Sequence, residues 1–188
     1  VFLSDMGKLS EKYIAMLDEW KIPYEQGGHS EELILNADEV IKSPGIPETA
    51  PMVQKIIEKG IGVIMDVVFN HTYSLDSHFE KTVPGYYYRM DESGKLTNGS
   101  ACGNDTASDR KMYRKYMKDA VKYLLTEYHL DGLRFDLMGL HDIQTMNEIR
   151  QMVNELPNGD KIILYGEPWS AGYTGFREGA VAAVRANV

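Results

Sequence analysis

The stretch Ile61 to His71, IGVIMDVVFNH, limits the fold of this chain more than any other. Its middle is a nearly unbroken apolar run, largely β-branched, with Asp66 set inside it. Such a run suits a strand covered on both faces, as in a parallel sheet flanked by helices. A carboxylate within the run is costly unless it is hydrogen-bonded or used. Polar residues gather at its C-terminal end, where Asn70, His71 and Thr72 follow Phe69. In parallel α/β proteins that is the end at which ligands bind. A lone Asp or His there is most simply a locally satisfied group. Two further strand-end carboxylates downstream shift the balance.

The rest of the chain alternates strand and helix signals, which implies an α/β fold with a mostly parallel sheet. Short strands are expected at Val1–Asp5, Ile22–Tyr24 and Asp38–Lys42. Ser10 caps a helix with Tyr13, Ile14, Leu17 and Trp20 at helical spacing, and Ser30 with Glu31 and Glu32 opens a short one. Thr49 is placed to cap a helix that carries Pro51 in its first turn and stops at Gly60. After His71 comes a long polar, aromatic stretch with turn signals at Pro84-Gly85, Gly94, Asn98-Gly99 and Gly103-Asn104. A loop of that length inside a domain is usually functional. Tyr86, Tyr87 and Tyr88 suit sugar stacking there, and suit packing equally well.

A long amphipathic helix follows, capped by Thr106 or Ser108 and running to Tyr128. Lys111, Arg114, Lys115 and Lys118 fall on its solvated side. Then come a strand ending in Arg134-Phe135-Asp136, a helix over Asp142–Leu156, and a buried strand over Ile162–Tyr165 ending in Gly166-Glu167. The tail carries weak helical character near Glu178–Val184. Val63, Ile64, Val67, Leu133 and Ile163 are expected in the core.

Three strand candidates thus end in charge: Asp66 with His71, Arg134 with Asp136, and Glu167. Right-handed crossovers between parallel strands bring such ends to one face. Arg134 and Asp136, two residues apart on a strand, point the same way. The guanidinium would hold Asp136 ionised, while Glu167, beside apolar Pro168 and Trp169, is suited to keep its proton. Two carboxyl groups in opposite protonation states are what glycoside hydrolysis uses, at a retaining separation of about 5–5.5 Å. A structural ion pair, Arg134 with Asp136 or with Glu167, is the competing reading.

Charge and composition remove some alternatives. A net charge of -8 argues against nucleic acid as the main partner. No apolar run reaches transmembrane length, so no membrane partner is expected, and the start of the chain has no signal-like core. Cys102, the one cysteine, excludes an internal disulfide and points to a reducing, cytoplasmic setting. The chain begins at Val1 and reads as a fragment of something longer. Its oligomeric state is not legible.

Two resemblances sharpen this picture. DVVFNH, GLRFD and GEPW, in that order, resemble the first three sequence blocks of the α-amylase family of glycoside hydrolases. RFDLMGLHDI, NGSACGNDTAS and YGEPWSAG resemble in particular its type I pullulanase branch. The resemblance runs from about residue 60 to 188. It implies a partial (β/α)8 barrel, strands three to five, acting on an α-glucan with retention, at α-1,6 bonds. It also implies Asp136 as nucleophile and Glu167 as general acid/base, with Arg134 orienting Asp136. His71, Asp66 and, more weakly, Asn104 would be substrate-site residues. In some family members the asparagine matching Asn70 binds calcium. The pullulanase branch does not clearly keep that site, so no metal and no cofactor are assigned. The family's fourth block, with a third catalytic aspartate, is not among these residues.

Residues 1 to about 60 resemble something else. VFLSDMGKLSEKY and ADEVIKSPGIPETAPMV are similar to the N-terminal domain of UDP-N-acetylmuramoylalanine–D-glutamate ligase, a Mur ligase. This implies a partial Rossmann-like segment with Asp5, Ser43, Pro44 and Gly45 near a uracil. The simpler reading of Ser43-Pro44-Gly45 is a strand-ending turn. The ligase's ATP site needs a GK[ST] loop, and the sequence has none. The expected organisation is therefore an incomplete 1–60 segment and an incomplete 61–188 segment, joined near Lys59-Gly60-Ile61 as a chimera. The alternatives are a Mur-type ligase fragment and a chain with no activity.

Overall fold

The computed structural model describes residues 1–43 and 45–188. The chain divides into two compact units, one of residues 1–40 with 45–63, the other of residues 41–44 with 64–188. The architecture is mixed α/β, with a mostly parallel sheet and flanking helices.

The first unit opens with β1 (Leu3–Asp5), α1 (Glu11–Glu19) and β2 (Tyr24–Gln26). Ser10 caps α1 through the Tyr13 N–H. β1 and β2 pair in parallel as a two-stranded sheet of their own, so the early strands do not share one sheet with β3. β2 lies about two residues later than its apolar signal at Ile22 predicts, because the Ile22 N–H closes α1 onto Leu17 O. The four-residue α2 (Glu31–Ile34) leads to β3 (Glu39–Lys42) and α3 (Pro51–Glu58). Ala50, not Thr49, holds the cap position of α3. Gly60 ends that segment at φ +74°, the left-handed conformation expected of a helix stop. Leu17, Val53, Ile56 and Val63 are its buried apolar side chains.

β4 (Gly62–Val67) begins the main sheet, whose order is β3-β4-β7-β8 with β7 (Gly132–Phe135) and β8 (Ile163–Gly166). β4, β7 and β8 are mutually parallel, with Asp66 opposite Arg134 and Arg134 opposite Tyr165. That register puts Asp66, Arg134 and Tyr165 on one face. Val63, Ile64, Val67 and Leu133 are buried as expected. Ile163 is not: it is 47% exposed, because β8 is an edge strand.

The long stretch after β4 is more ordered than its turn residues suggest. It forms β5 (His71–Thr72), α4 (His78–Thr82) and β6 (Asn104–Asp105), and β6 folds back antiparallel onto β5. Tyr88 is fully buried, with its hydroxyl at Thr72 Oγ1 and Ser77 Oγ, and Tyr87 packs on Phe79. Tyr87 and Tyr88 therefore anchor the loop. Beneath it Arg89 is buried against Asp109, Ser108 and the Leu140 carbonyl.

α5 (Lys111–Glu127) starts after Arg110 rather than at Thr106 or Ser108, whose hydroxyls are committed to Phe69 O and Asp142. Arg114 and Lys118 are not simply solvated. Arg114 pairs with Asp142 and Glu148, and Lys118 with Glu148, tying α5 to α6 (Ile143–Asn154). Asp142 caps α6 by accepting the Thr145 N–H. The tail forms no helix; it lies as a strap, bridging Asp142 at Ala182 and donating the Ala183 N–H to His141 O. Among the described residues no helix is long and apolar enough to cross a membrane.

Candidate active site

The C-terminal ends of β4, β7 and β8 converge on one guanidinium. Arg134 Nη1 donates to Asp66 Oδ1 at 2.8 Å and Oδ2 at 3.1 Å, and to Asp136 Oδ1 at 3.1 Å. Its Nη2 pairs with Glu167 Oε1 at 2.5 Å. Three carboxylates from three adjacent strands therefore share one cation on one side of the sheet. A planar guanidinium with several fixed donors can do this where a lysine could not. The cluster is part-buried, with side-chain exposures of 18% for Arg134 and 27–31% for the three acids.

Asp136 is held from a second direction. Asn70 Nδ2 donates to the Asp136 carbonyl at 2.6 Å and to its Oδ2 at 3.0 Å. The Asn70 Oδ1 meets His71 Nδ1 at 2.6 Å, so His71 is linked to Asp136 through Asn70. Sequence reasoning passed over Asn70 except as a calcium ligand elsewhere. The sequence signal for it is its place directly after the apolar run of β4; the structure buries it there, and a buried amide must find partners. Asn104 stands opposite Thr72 in the β5–β6 pair, one residue from the His71–Asp105 pair. Gly103 makes this approach possible, since a Cβ there would lie 2.2 Å from Thr72 O.

Glu167 differs from its sequence expectation. Its surroundings are not apolar: Oε1 meets Arg134, Oε2 accepts the Leu137 N–H at 3.1 Å, and Trp169 is half exposed. Both oxygens act as acceptors in this arrangement. Leu137 has φ 40° and ψ 51°, a left-handed backbone that non-glycine residues seldom adopt. That conformation, directly after Asp136, turns its N–H toward Glu167. A short 3-10 turn at Met138–Leu140 follows, and its Gly139 N–H donates to the Glu167 carbonyl. A Cβ on Gly139 would meet Trp169 O at 2.4 Å, so the turn and the Glu167 segment pack backbone to backbone.

Burial raises the Asp66 carboxyl above its ordinary value, and Asp136 and Glu167 add to the effect while Arg134 opposes it. Arg134 itself is raised: its bonds and proximity to Asp66, then Glu167 and Asp136, outweigh the desolvation that acts against it. Nearby His141 is fully buried with neither ring nitrogen bonded, and burial pushes it down to about 3. Among the described residues no cluster of three or more His, Cys, Asp or Glu side chains is arranged to hold a metal ion.

Of the residues implied near a uracil, Asp5 is exposed at the end of β1 and accepts the Gly7 N–H at 2.6 Å. Ser43 and Gly45 are exposed after β3, and Pro44 lies outside the described residues. β1 and β3 belong to different sheets.

Comparison with known proteins finds similarity to two kinds of enzyme. Residues 1–52 match the family model of the MurD N-terminal domain. The chain is 47% identical over 123 residues to a pullulanase of Bacillus subtilis, covering 65% of this chain and 17% of that protein. It is 36% identical over 140 residues to a UDP-N-acetylmuramoylalanine–D-glutamate ligase of Christiangramia forsetii, covering 71% of this chain and 31% of that protein. The two alignments therefore overlap. Among solved structures it resembles an Anoxybacillus pullulanase complexed with maltotriose, at 44% identity and TM-score 0.65, over 72% of this chain and 19% of that one. A Bacillus subtilis type I pullulanase complexed with maltose gives 45% identity and TM-score 0.64, again over 72% and 19%. The chain spans under a third of each of these relatives. Over most of its length it is similar to pullulanases, and its opening residues match a Mur-ligase domain, so it joins fragments related to two enzyme families.

Proposed function

We propose that residues 61–188 are the third to fifth strand units of a (β/α)8 barrel, and that they carry the core of a retaining α-glucan-hydrolysing site. The single observation behind this reading is the sharing of Arg134 by Asp66, Asp136 and Glu167 at the ends of three parallel strands. In the parent reaction Asp136 attacks the anomeric carbon and the glycosidic bond breaks. The departing oxygen takes its proton from Glu167. Glu167 then removes a proton from water, which attacks the glycosyl carbon and frees Asp136. Arg134 and Asn70 fix the Asp136 carboxylate from two sides, which leaves the attack direction defined. His71, Asp66 and Asn104 line the sugar side. Glu167 must leave Arg134 to serve as acid, so substrate entry and a rearrangement of that pair go together. The bond cleaved is α-1,6, by similarity to pullulanases.

The 188 residues by themselves are proposed to turn over neither pullulan nor starch at a useful rate. The third catalytic aspartate that the α-amylase resemblance implies, and most of its sugar cleft, are not among these residues, and catalytic groups that act as a unit lose most of their effect when one is missing. The first 60 residues are read as a partial Rossmann-like segment from a Mur-type ligase, supported by the match to the MurD N-terminal domain. Without a GK[ST] loop they carry no ATP chemistry of their own.

Reducing-sugar release separates these statements. The purified chain should release no more from pullulan than its Asp136→Asn and Glu167→Gln variants. Residues 61–188, grafted in place of the matching stretch of the Bacillus subtilis pullulanase, should support turnover. In that graft each substitution should lower kcat about a thousandfold or more. An active graft indifferent to both substitutions would refute the assigned roles.

A further inference from the structure

Arg89 is 1% exposed, and its N–H donors are all directed at partners. Nε and Nη2 meet Asp109 Oδ1 at 3.0 and 2.9 Å, and Nη2 also meets Ser108 Oγ at 3.0 Å. The guanidinium carbon lies 3.9 Å from the centre of the Phe176 ring. Those bonds to Asp109 and Ser108 anchor the loop between β4 and α5. Nη1 reaches out of that loop. It donates to Leu140 O at 2.6 Å, and to Thr174 Oγ1 at 3.3 Å. Leu140 closes the 3-10 turn that follows Leu137. At the start of that turn the Leu137 N–H holds Glu167 Oε2, and within it the Gly139 N–H holds the Glu167 carbonyl. A left-handed leucine keeps its conformation only where its surroundings enforce it. Arg89 enforces it from the far end of the turn, through a planar fork whose other donors are already fixed.

We propose that Arg89 is a positioning residue for Glu167, acting through the turn from Leu137 to Leu140. The proposal rests on Glu167 as the general acid/base. With the turn held, the Leu137 N–H keeps Oε2 in place while Oε1 exchanges Arg134 for the departing glycosidic oxygen. Oε1 is then the oxygen that gives up the proton, and the carboxyl group pivots on Oε2 instead of moving as a whole. A slack turn lets both oxygens wander. Proton delivery then suffers before attack by Asp136 does, because Arg134 and Asn70 hold Asp136 independently of the turn.

Leaving-group dependence tests this in the graft of residues 61–188 into the Bacillus subtilis pullulanase. Pullulan cleavage needs a proton on the departing sugar oxygen, whereas fluoride leaves α-maltosyl fluoride without full protonation. For both substrates kcat/KM reports the bond-breaking step, and the ratio of the two values does not depend on the fraction of enzyme folded. Arg89→Lys keeps a positive charge beside Asp109 and loses the planar fork. It should lower kcat/KM on pullulan about tenfold or more and on the fluoride about twofold at most, a milder form of the selectivity expected of Glu167→Gln. Asp109→Asn leaves the guanidinium an acceptor without its charge. It should shift the ratio the same way by a smaller factor, and it decides the matter if Arg89→Lys does not fold. Equal losses on the two substrates, or no loss on either, overturn the positioning role when Glu167→Gln is itself selective. A Glu167→Gln graft that loses both substrates equally overturns the acid assignment, and this proposal with it.

Discussion

Removing the charge at Asp66 should stabilise the fold at neutral pH. Burial raises this carboxyl, and two further carboxylates stand on the same guanidinium, so its charged form is the less favoured one in the native state. A native group that holds its proton more tightly than the unfolded chain adds stability as pH falls. Asp66→Asn should therefore be more resistant to urea than the parent at pH 7, and the gap should close on acidification. A variant less stable at pH 7 would contradict this. Arg134→Met is the converse: it leaves three carboxylates together, part-buried and unpaired, and should cost about 2 kcal/mol once solvent screening is allowed for. His141 sets a slope of the opposite sign. It is neutral when folded and takes a proton on unfolding below its ordinary value of 6.5, so stability is lost as pH falls toward about 3. Between pH 7 and pH 5 the loss from this group is about 2 kcal/mol. Denaturant midpoints for His141→Phe should show that part of the dependence flattened, whatever the absolute stability. At this scale the sequence was partly legible. Arg134 and Asp136 sit two apart on a strand, and their common face follows from the pleat. The pairing of Glu167 with Arg134 is open at the sequence level as one of two ion pairs, and strand register and the left-handed turn at Leu137 decide that it forms.

At the scale of elements, strong apolar periodicity translated well. α1, α3, α5 and α6 lie where their spacing puts them, to within a few residues at each end. Failures came where a tertiary partner outbid a local signal. Ser108 is a good cap in isolation but donates to Asp142, and Ile163 reads as core but sits at an edge. The loop between β4 and α5 was the least legible. Its order rests on Tyr88, Arg89 and the β5–β6 pair, contacts between residues far apart in sequence. Gly103 is the point at which that order is most exposed to a test. Its missing side chain lets the loop lie against Thr72, and a methyl there meets backbone rather than a movable side chain. Gly103→Ala should destabilise by about 1–3 kcal/mol, the usual range for forced overpacking. It should also speed hydrogen exchange at the Asp105 and Thr106 amides, which donate to Thr97 O and Asn70 O. A variant with full stability and unchanged exchange would show that β5 and β6 separate at no cost.

For the whole molecule, the two units carry very unequal cores. Among the described residues, the apolar side chains buried in residues 1–63 are Leu17, Val53, Ile56 and Val63. The remainder buries a far larger set, including Ile64, Tyr88, Tyr113, Met117, Leu133, Phe135, Ile149 and Val153. Each fully buried large apolar side chain contributes about 1.5–3 kcal/mol, against a conformational cost that every ordered residue incurs. Four such side chains are few for some sixty residues, and small units with thin cores are marginal. The helix, glycine stop and strand that lead from α3 into β4 are sound local structure, yet that step suits almost any parallel α/β chain. Unfolding should therefore occur in two steps. Amides of α1 and α3 should exchange at low urea with a small denaturant slope, and those of α5, α6, β4 and β7 should hold to a later, steeper transition. Native-state hydrogen exchange read by mass spectrometry resolves the two sets. A single transition with equal protection in α1 and α5 would mean that the first unit draws its stability from more than its own four buried side chains.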